Sequence, residues 1–131
     1  MAGEPILIVD DNPHNLKLAS VLLMGEGYEV RTASDAEQAL ELLESFTPRL
    51  ILMDIQLPGM DGLELTRRLK ADRSRRDIVV IALTAYAMKG DEEKARAAGC
   101  DGYVSKPIDI DVLRQLVADH LAAAGGGGGA S

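Results

Sequence analysis

Polar residues stand where strand-like runs of the sequence stop. Residues 6–9 (ILIV) run into Asp10, Asp11 and Asn12, and residues 50–53 (LILM) run into Asp54. Residues 78–83 (IVVIAL) run into Thr84, and residues 102–105 (GYVS) into Lys106 and Pro107. A carboxylate at the end of a buried strand is costly unless something pairs with it. If the runs are parallel strands, their carboxyl ends share one edge, and three carboxylates, a hydroxyl and an ammonium gather there. Two carboxylates about 4 Å apart repel by roughly 4 kcal/mol at an effective dielectric near 20, so three together ask for a cation. The donors are hard oxygens without a nearby His or Cys, which selects Mg²⁺. Lys106 would balance charge on the far side as a point-charge phosphate binder. Such a set suits phosphoryl transfer, which asks mainly for positioning and neutralisation. Asp54 would be the nucleophile, since a carboxylate can form an aspartyl phosphate. Asp10, Asp11 and Asp54 would hold the metal, and Thr84 would hydrogen-bond a phosphoryl oxygen.

For these residues to meet, helices must carry the chain back between strands. Short apolar runs bounded by turn residues read as strands buried on both faces. Pro13 suits the first turn of a helix whose stripe is Leu16, Ala19, Ser20, Leu23 and Met24, stopping near Gly25 or Gly27. Residues 28–33 alternate apolar and polar, as an edge strand does. Residues 34–37 show the capping-box pattern S-x-x-E, and the helix that follows buries Ala36, Ala39, Leu40 and Leu43 before Pro48. A turn containing Pro58 and Gly59 leads to Gly62, where a third helix begins and runs to about Asp72 with Leu65 and Leu69 inward. Residues 89–98 read as a helix with only Met88, Ala95 and Ala98 for apolar surface. Burial anchors it weakly, so it is expected to be the most mobile helix, with Gly99 as its C-cap. Asp109 or Asp111 would cap the last helix, whose stripe is Leu113, Leu116, Val117, His120 and Leu121. Strand and helix alternate five times, which implies parallel strands with right-handed crossovers. The expected fold is α/β, a flavodoxin-like doubly wound five-stranded sheet of order 2-1-3-4-5 with helices on both faces.

The chain has 131 residues, enough for one domain with a real core. Residues 1–124 read as that domain and 125–131 as a flexible Gly-rich tail. A net charge of -7 argues against binding nucleic acid through a basic surface. Arg67, Arg68, Lys70, Arg73, Arg75 and Arg76 form one basic cluster, read as a solvated helix end and loop. The single cysteine, Cys100, excludes an internal disulfide and fits a reducing compartment. It reads most simply as a small buried residue. No apolar run is long enough to span a membrane, and the first residues lack the parts of a secretion signal. The expectation is a soluble cytoplasmic protein. His14 and His120 read as non-ligands, and Asp61 as turn chemistry.

Four pieces, ILIVDDN, LILMDIQLPGMDG, IALTAYA and GYVSKPI, follow one another in an order that resembles the response-regulator receiver domains of two-component signalling. The resemblance covers essentially residues 5–123. The stretch ALTAYAMKGDEEKARAAGCDGYVSKPI is especially similar to single-domain regulators of bacterial cell-cycle control and to receivers fused to hybrid histidine kinases. It implies phosphoryl transfer from a phosphohistidine of a histidine kinase or phosphotransferase to Asp54. It implies that the backbone carbonyl of Gln56 completes the metal site and that Lys106-Pro107 is a cis bond. It further implies a switch in which Thr84 moves toward the phosphoryl group, Tyr103 turns inward, and the surface of the fourth helix, last strand and last helix is remodelled for a downstream protein partner. Tyr103 reads equally well as a half-buried strand aromatic. By family analogy Gln56 and Tyr86 flank the approach of attacking water, and Tyr86 would lengthen the phosphate's lifetime.

The expected function is a stand-alone signalling switch without a DNA-binding output domain, a monomer or weak dimer. It would be no enzyme, only a phosphoacceptor that assists its own phosphorylation and dephosphorylation. A Mg²⁺-dependent phosphatase with an aspartyl-phosphate intermediate is the alternative, but it needs a second acid for the leaving group and a cap that no insertion supplies. A flavin carrier on the same fold would want Ser, Thr and Gly where the acids stand.

Overall fold

The computed structural model describes residues 3–55, 62–84 and 89–130, side chains at 89, 91 and 124–130 excepted. Gln56, Pro58, Gly59, Asp61, Tyr86 and Met88, which carry expectations from the sequence, lie outside the described residues. The elements follow as β1 (Pro5–Val9), α1 (Pro13–Gly25), β2 (Glu29–Ala33), α2 (Ala36–Leu43) and β3 (Leu50–Asp54). Then come α3 (Gly62–Ala71), β4 (Val79–Thr84), α4 (Lys89–Ala98), β5 (Gly102–Ser105) and α5 (Ile110–Ala130). All strand pairs are parallel and the order is 2-1-3-4-5, as the alternation predicts.

Successive strand side chains point to opposite faces, and the core divides accordingly. Leu7, Val9, Ile51, Met53, Val80 and Ala82 face α2, α3 and α4. Ile6, Ile8, Leu50, Leu52, Ile81 and Leu83 face α1 and α5, meeting Ala19, Leu23, Leu113, Val117 and Leu121. β3 and β4 are buried along their whole length because they lie inside the sheet and are covered on both faces. β2 is the exposed edge expected.

Local chemistry refines the sequence reading at several places. Asn12 caps α1, accepting from the backbone of His14 and Asn15. The α2 cap is Asp35 rather than Ser34, shifting the capping box by one residue. The Asp35 carboxylate accepts from Gln38 N at 2.8 Å, while Gln38 Oε1 reaches back to Ser34 N at 2.9 Å. Asp109 caps α5 through the backbone of Asp111 and Val112. Met24, assigned to the inward stripe of α1, is 54% exposed, because Leu23 already faces the sheet one residue earlier.

Lys70 is not part of a solvated cluster. Its ammonium donates to Arg76 O at 3.1 Å, Ile78 O at 2.7 Å and Asp101 Oδ2 at 2.9 Å, filling all three donor positions. Arg67 and Arg68 do stay on the surface, each paired with Glu64. Among the described residues of α4 the buried ones are Ala95 and Ala98, both in its C-terminal half. Gly99 follows with φ +107, a left-handed conformation that favours glycine. α5 continues to Ala130, through the glycine run whose composition marks it as a tail. Among the described residues no helix is long and apolar enough to cross a membrane.

Candidate functional site

Asp10 follows β1, and its N–H donates to Ala33 O at 3.1 Å, extending the pairing of β1 with β2 by one residue. Its Oδ1 accepts from Asn12 N at 2.8 Å, which turns the chain into α1. Asp54 is the last residue of β3, opposite Leu83 of β4. Thr84 ends β4 and is buried. Asp10 and Asp54 are 0% and 2% exposed, whereas Asp11 beside them is open to solvent.

One carboxylate oxygen each of Asp10, Asp11 and Asp54 lies within 4.8 Å of the others. Lys106 is brought in by β5: its N–H donates to Thr84 O at 2.6 Å and its peptide bond to Pro107 is cis. Its ammonium stands 3.0 Å from Asp10 Oδ2 and 3.1 Å from Asp54 Oδ2. Lys106 is therefore between two of the acids rather than on the far side, as the sequence reading places it. The physical reason is burial: the two carboxylates withdrawn from water need the nearest cation most. Desolvation pulls the Lys106 ammonium down, but hydrogen bonds to Asp10 and Asp54 and their charges more than offset it and hold its pKa above the ordinary value. Among the described residues, three carboxylates stand against the one ammonium of Lys106, a net charge of two negative, with Asp11 on the open side. That charge, hard-oxygen donors and an exposed flank fit a divalent cation such as Mg²⁺.

The other expected residues sort themselves clearly. Tyr103 is half-buried on β5 and packs against the core on the α2–α4 side. His14 is exposed, and the ring nitrogens of His120 lie 3.0 Å from Leu116 O and 3.2 Å from Asp101 O; neither joins the acid cluster. Gly62 is the first residue of α3, where the sequence reading starts that helix, and it packs against the main chain of Asp54. Cys100 is buried, and burial, the largest of several influences, pushes its thiol up. Iodoacetamide at pH 8 is expected to label it about tenfold more slowly, or slower still, in native protein than in urea, since only the accessible thiolate reacts. Equal rates would show the thiol to be accessible. Thr66, buried on α3, is a polar residue that the sequence reading missed; its only signal is a hydroxyl at an inward helix position.

The family model for the response regulator receiver domain matches residues 6–118. The polar-differentiation response regulator DivK of Brucella ovis is 49% identical over 120 residues, covering 91% of this chain and 97% of the relative. Among solved structures, a CheY-like response regulator receiver domain protein from Methanospirillum hungatei superposes with a TM-score of 0.86 at 32% identity, covering 94% of this chain and 97% of that one. The receiver domain of a sensor histidine kinase from Pseudomonas aeruginosa, described with a magnesium ion coordinated in its active site cleft, has a TM-score of 0.79 at 38% identity and covers 88% and 94%. The family match runs from β1, just before Asp10, into α5, beyond Lys106. This chain belongs to the response-regulator receiver family of two-component systems.

Proposed function

We propose that the protein is the phosphoacceptor switch of a two-component phosphorelay. One observation carries this reading: the Asp54 carboxylate stands at a strand end with two further acids and an ammonium within reach. A carboxylate oxygen of Asp54 would form a bond to phosphorus as the bond to a donor histidine nitrogen breaks, and the imidazole would leave with the electron pair. Asp10, Asp11 and Asp54, with the Gln56 carbonyl implied by the family, would hold Mg²⁺. Bound there, Mg²⁺ would supply neutralisation of the phosphoryl oxygens. Lys106 would hold Asp54 in place beforehand and take a phosphoryl oxygen afterwards. Thr84 would donate to another such oxygen, and Thr84 and Tyr103 would pass the change to the α4-β5-α5 face.

The donor would be a histidine kinase or histidine phosphotransferase, and the reader a downstream protein. The domain would span residues 1–124, with 125–131 as a tail. The protein would not be an enzyme with its own substrate, and its setting would be the bacterial cytoplasm. The weak apolar anchoring of the first half of α4 supports its use as the element that moves. Incubation with phosphorylated histidine kinases and phosphotransferases and Mg²⁺ tests the reading. The expected outcome is an acid-labile label mapped to Asp54 in a single turnover. Label on another residue would overturn Asp54 as the acceptor, and sustained turnover of phosphomonoesters would replace the switch with the phosphatase.

A further inference from the structure

Among the described residues four polar side chains are buried: Asp10, Asp54, Thr66 and Thr84. Three belong to the acidic site. Thr66 stands apart, on the inward face of α3, and its surroundings lead back to the same place. Its hydroxyl donates to Gly62 O at 2.7 Å and accepts from the Cys100 thiol at 3.9 Å. Gly62 in turn lies so close to the acceptor strand that a Cβ there would be 2.3 Å from Asp54 O. The Asp54 main chain, Gly62, Thr66 and Cys100 thus form one buried line of contact from the site to the end of α4.

We infer that Thr66 is a positioning residue for Asp54, holding the first turn of α3 against the main-chain carbonyl of the acceptor. The first turn of a helix is its loosest, because its N–H groups have no partners within the helix. The ordinary helix bond to Gly62 O comes from the backbone four residues on, and the Thr66 hydroxyl adds a second bond to the same carbonyl. Neither packing nor propensity explains the hydroxyl. Valine would fill the same volume and is about as good a helix former. A buried hydroxyl costs free energy unless it is fully bonded, and here it both donates and accepts. What the hydroxyl adds is a second tie on the carbonyl of Gly62, the residue pressed against Asp54 O. A reacting carboxylate needs such fixity, since displacements of about 1 Å can cost on the order of a hundredfold in rate.

The inference rests on Asp54 being the phosphoacceptor, so the test has two readouts. Thr66→Val removes the hydroxyl and keeps the volume; Thr66→Ser keeps the hydroxyl and removes a methyl. Labelling of Asp54 by phosphoramidate at saturating Mg²⁺ is expected to be about tenfold slower in Thr66→Val, and Mg²⁺ binding, titrated calorimetrically, about threefold weaker. Thr66→Ser is expected to stay within about twofold of the parent in both. The inference is overturned if Thr66→Val matches the parent in both, or if Thr66→Ser is as impaired as Thr66→Val. A parent protein that takes no label would overturn the phosphoacceptor reading instead, and the Mg²⁺ titration of the two variants would still decide the role of Thr66.

Discussion

Gly62→Ala is expected to destabilise the native state by about 3 kcal/mol or more, a cost in the range of severe overpacking. The added Cβ would fall 2.3 Å from Asp54 O, 2.9 Å from Ile55 Cα and 2.9 Å from Met53 Cγ. Two of these are main-chain atoms, which cannot swing aside as a side-chain tip can. β3 cannot retreat either, because β1 and β4 pair with it on both sides. Relief must come from α3 lifting off the sheet, which would uncover Leu65 and Leu69, now essentially buried. Helix propensity alone gives the opposite sign, since alanine inside a helix is favoured over glycine by about 1 kcal/mol. Urea unfolding of the variant separates the two. A midpoint at or above that of the parent would mean that α3 does not approach Asp54 O as closely as described. A lowered midpoint, with weakened Mg²⁺ binding in the fraction still folded, is the expected result.

The contrast between Gly62 and the strands shows what a sequence makes legible. The runs that end at Asp10, Asp54 and Thr84 announce buried parallel strands because burial on both faces demands unbroken apolar residues. Once the strands are parallel, sharing of one edge by their terminal polar groups is a matter of topology, and the acid cluster follows. Pairing within that edge is not. Whether Lys106 stands apart from the acids or between Asp10 and Asp54 depends on ångström distances that composition does not encode. Lys70 is a sharper case. Arg67, Arg68 and Arg73 near it in sequence stay in solvent, yet its ammonium turns inward to two carbonyls and to Asp101, thirty-one residues away. The shift of the α2 cap from Ser34 to Asp35 has a local cause, because both Ser34-x-x-Glu37 and Asp35-x-x-Gln38 satisfy the capping pattern. Gly62 was noticed as a glycine, but the reason for it, a helix end pressed on a strand's carbonyl, exists only in three dimensions.

Lys106→Met is expected to lower stability by about 3 kcal/mol in the absence of Mg²⁺, the lower end of the range for breaking a buried ion pair. Methionine keeps most of the unbranched stem, so the loss reports on the charge rather than on packing. Asp10 and Asp54 are 0% and 2% exposed, and water cannot replace the ammonium that stands 3.0 and 3.1 Å from their oxygens. The Lys106 side chain is itself only 14% exposed, so solvent screening takes little from the interaction. The pH dependence has a definite sign. Lys106 has its native pKa raised above the ordinary 10.5. Below the unfolded value the ammonium is charged in both states and its stabilisation is fully present; as pH climbs through the higher native value the proton is lost and the stabilisation goes with it. The gap between the parent and Lys106→Met is therefore expected to stay level from about pH 7 to 10 and to close only above that. Magnesium should narrow the same gap from the other side, since a divalent cation held by the three acids supplies the missing positive charge. At a free concentration one hundred times its dissociation constant the ion would stabilise either protein by about 2.7 kcal/mol, and the gap narrows by as much as Lys106→Met, with no ammonium competing for the acids, binds it more tightly. Denaturant titrations of both proteins, with and without Mg²⁺ and across this pH range, would measure all three effects. A variant that matches the parent without Mg²⁺ would show that the buried acids do not depend on Lys106, and one that Mg²⁺ fails to rescue would show that the acids do not bind the ion.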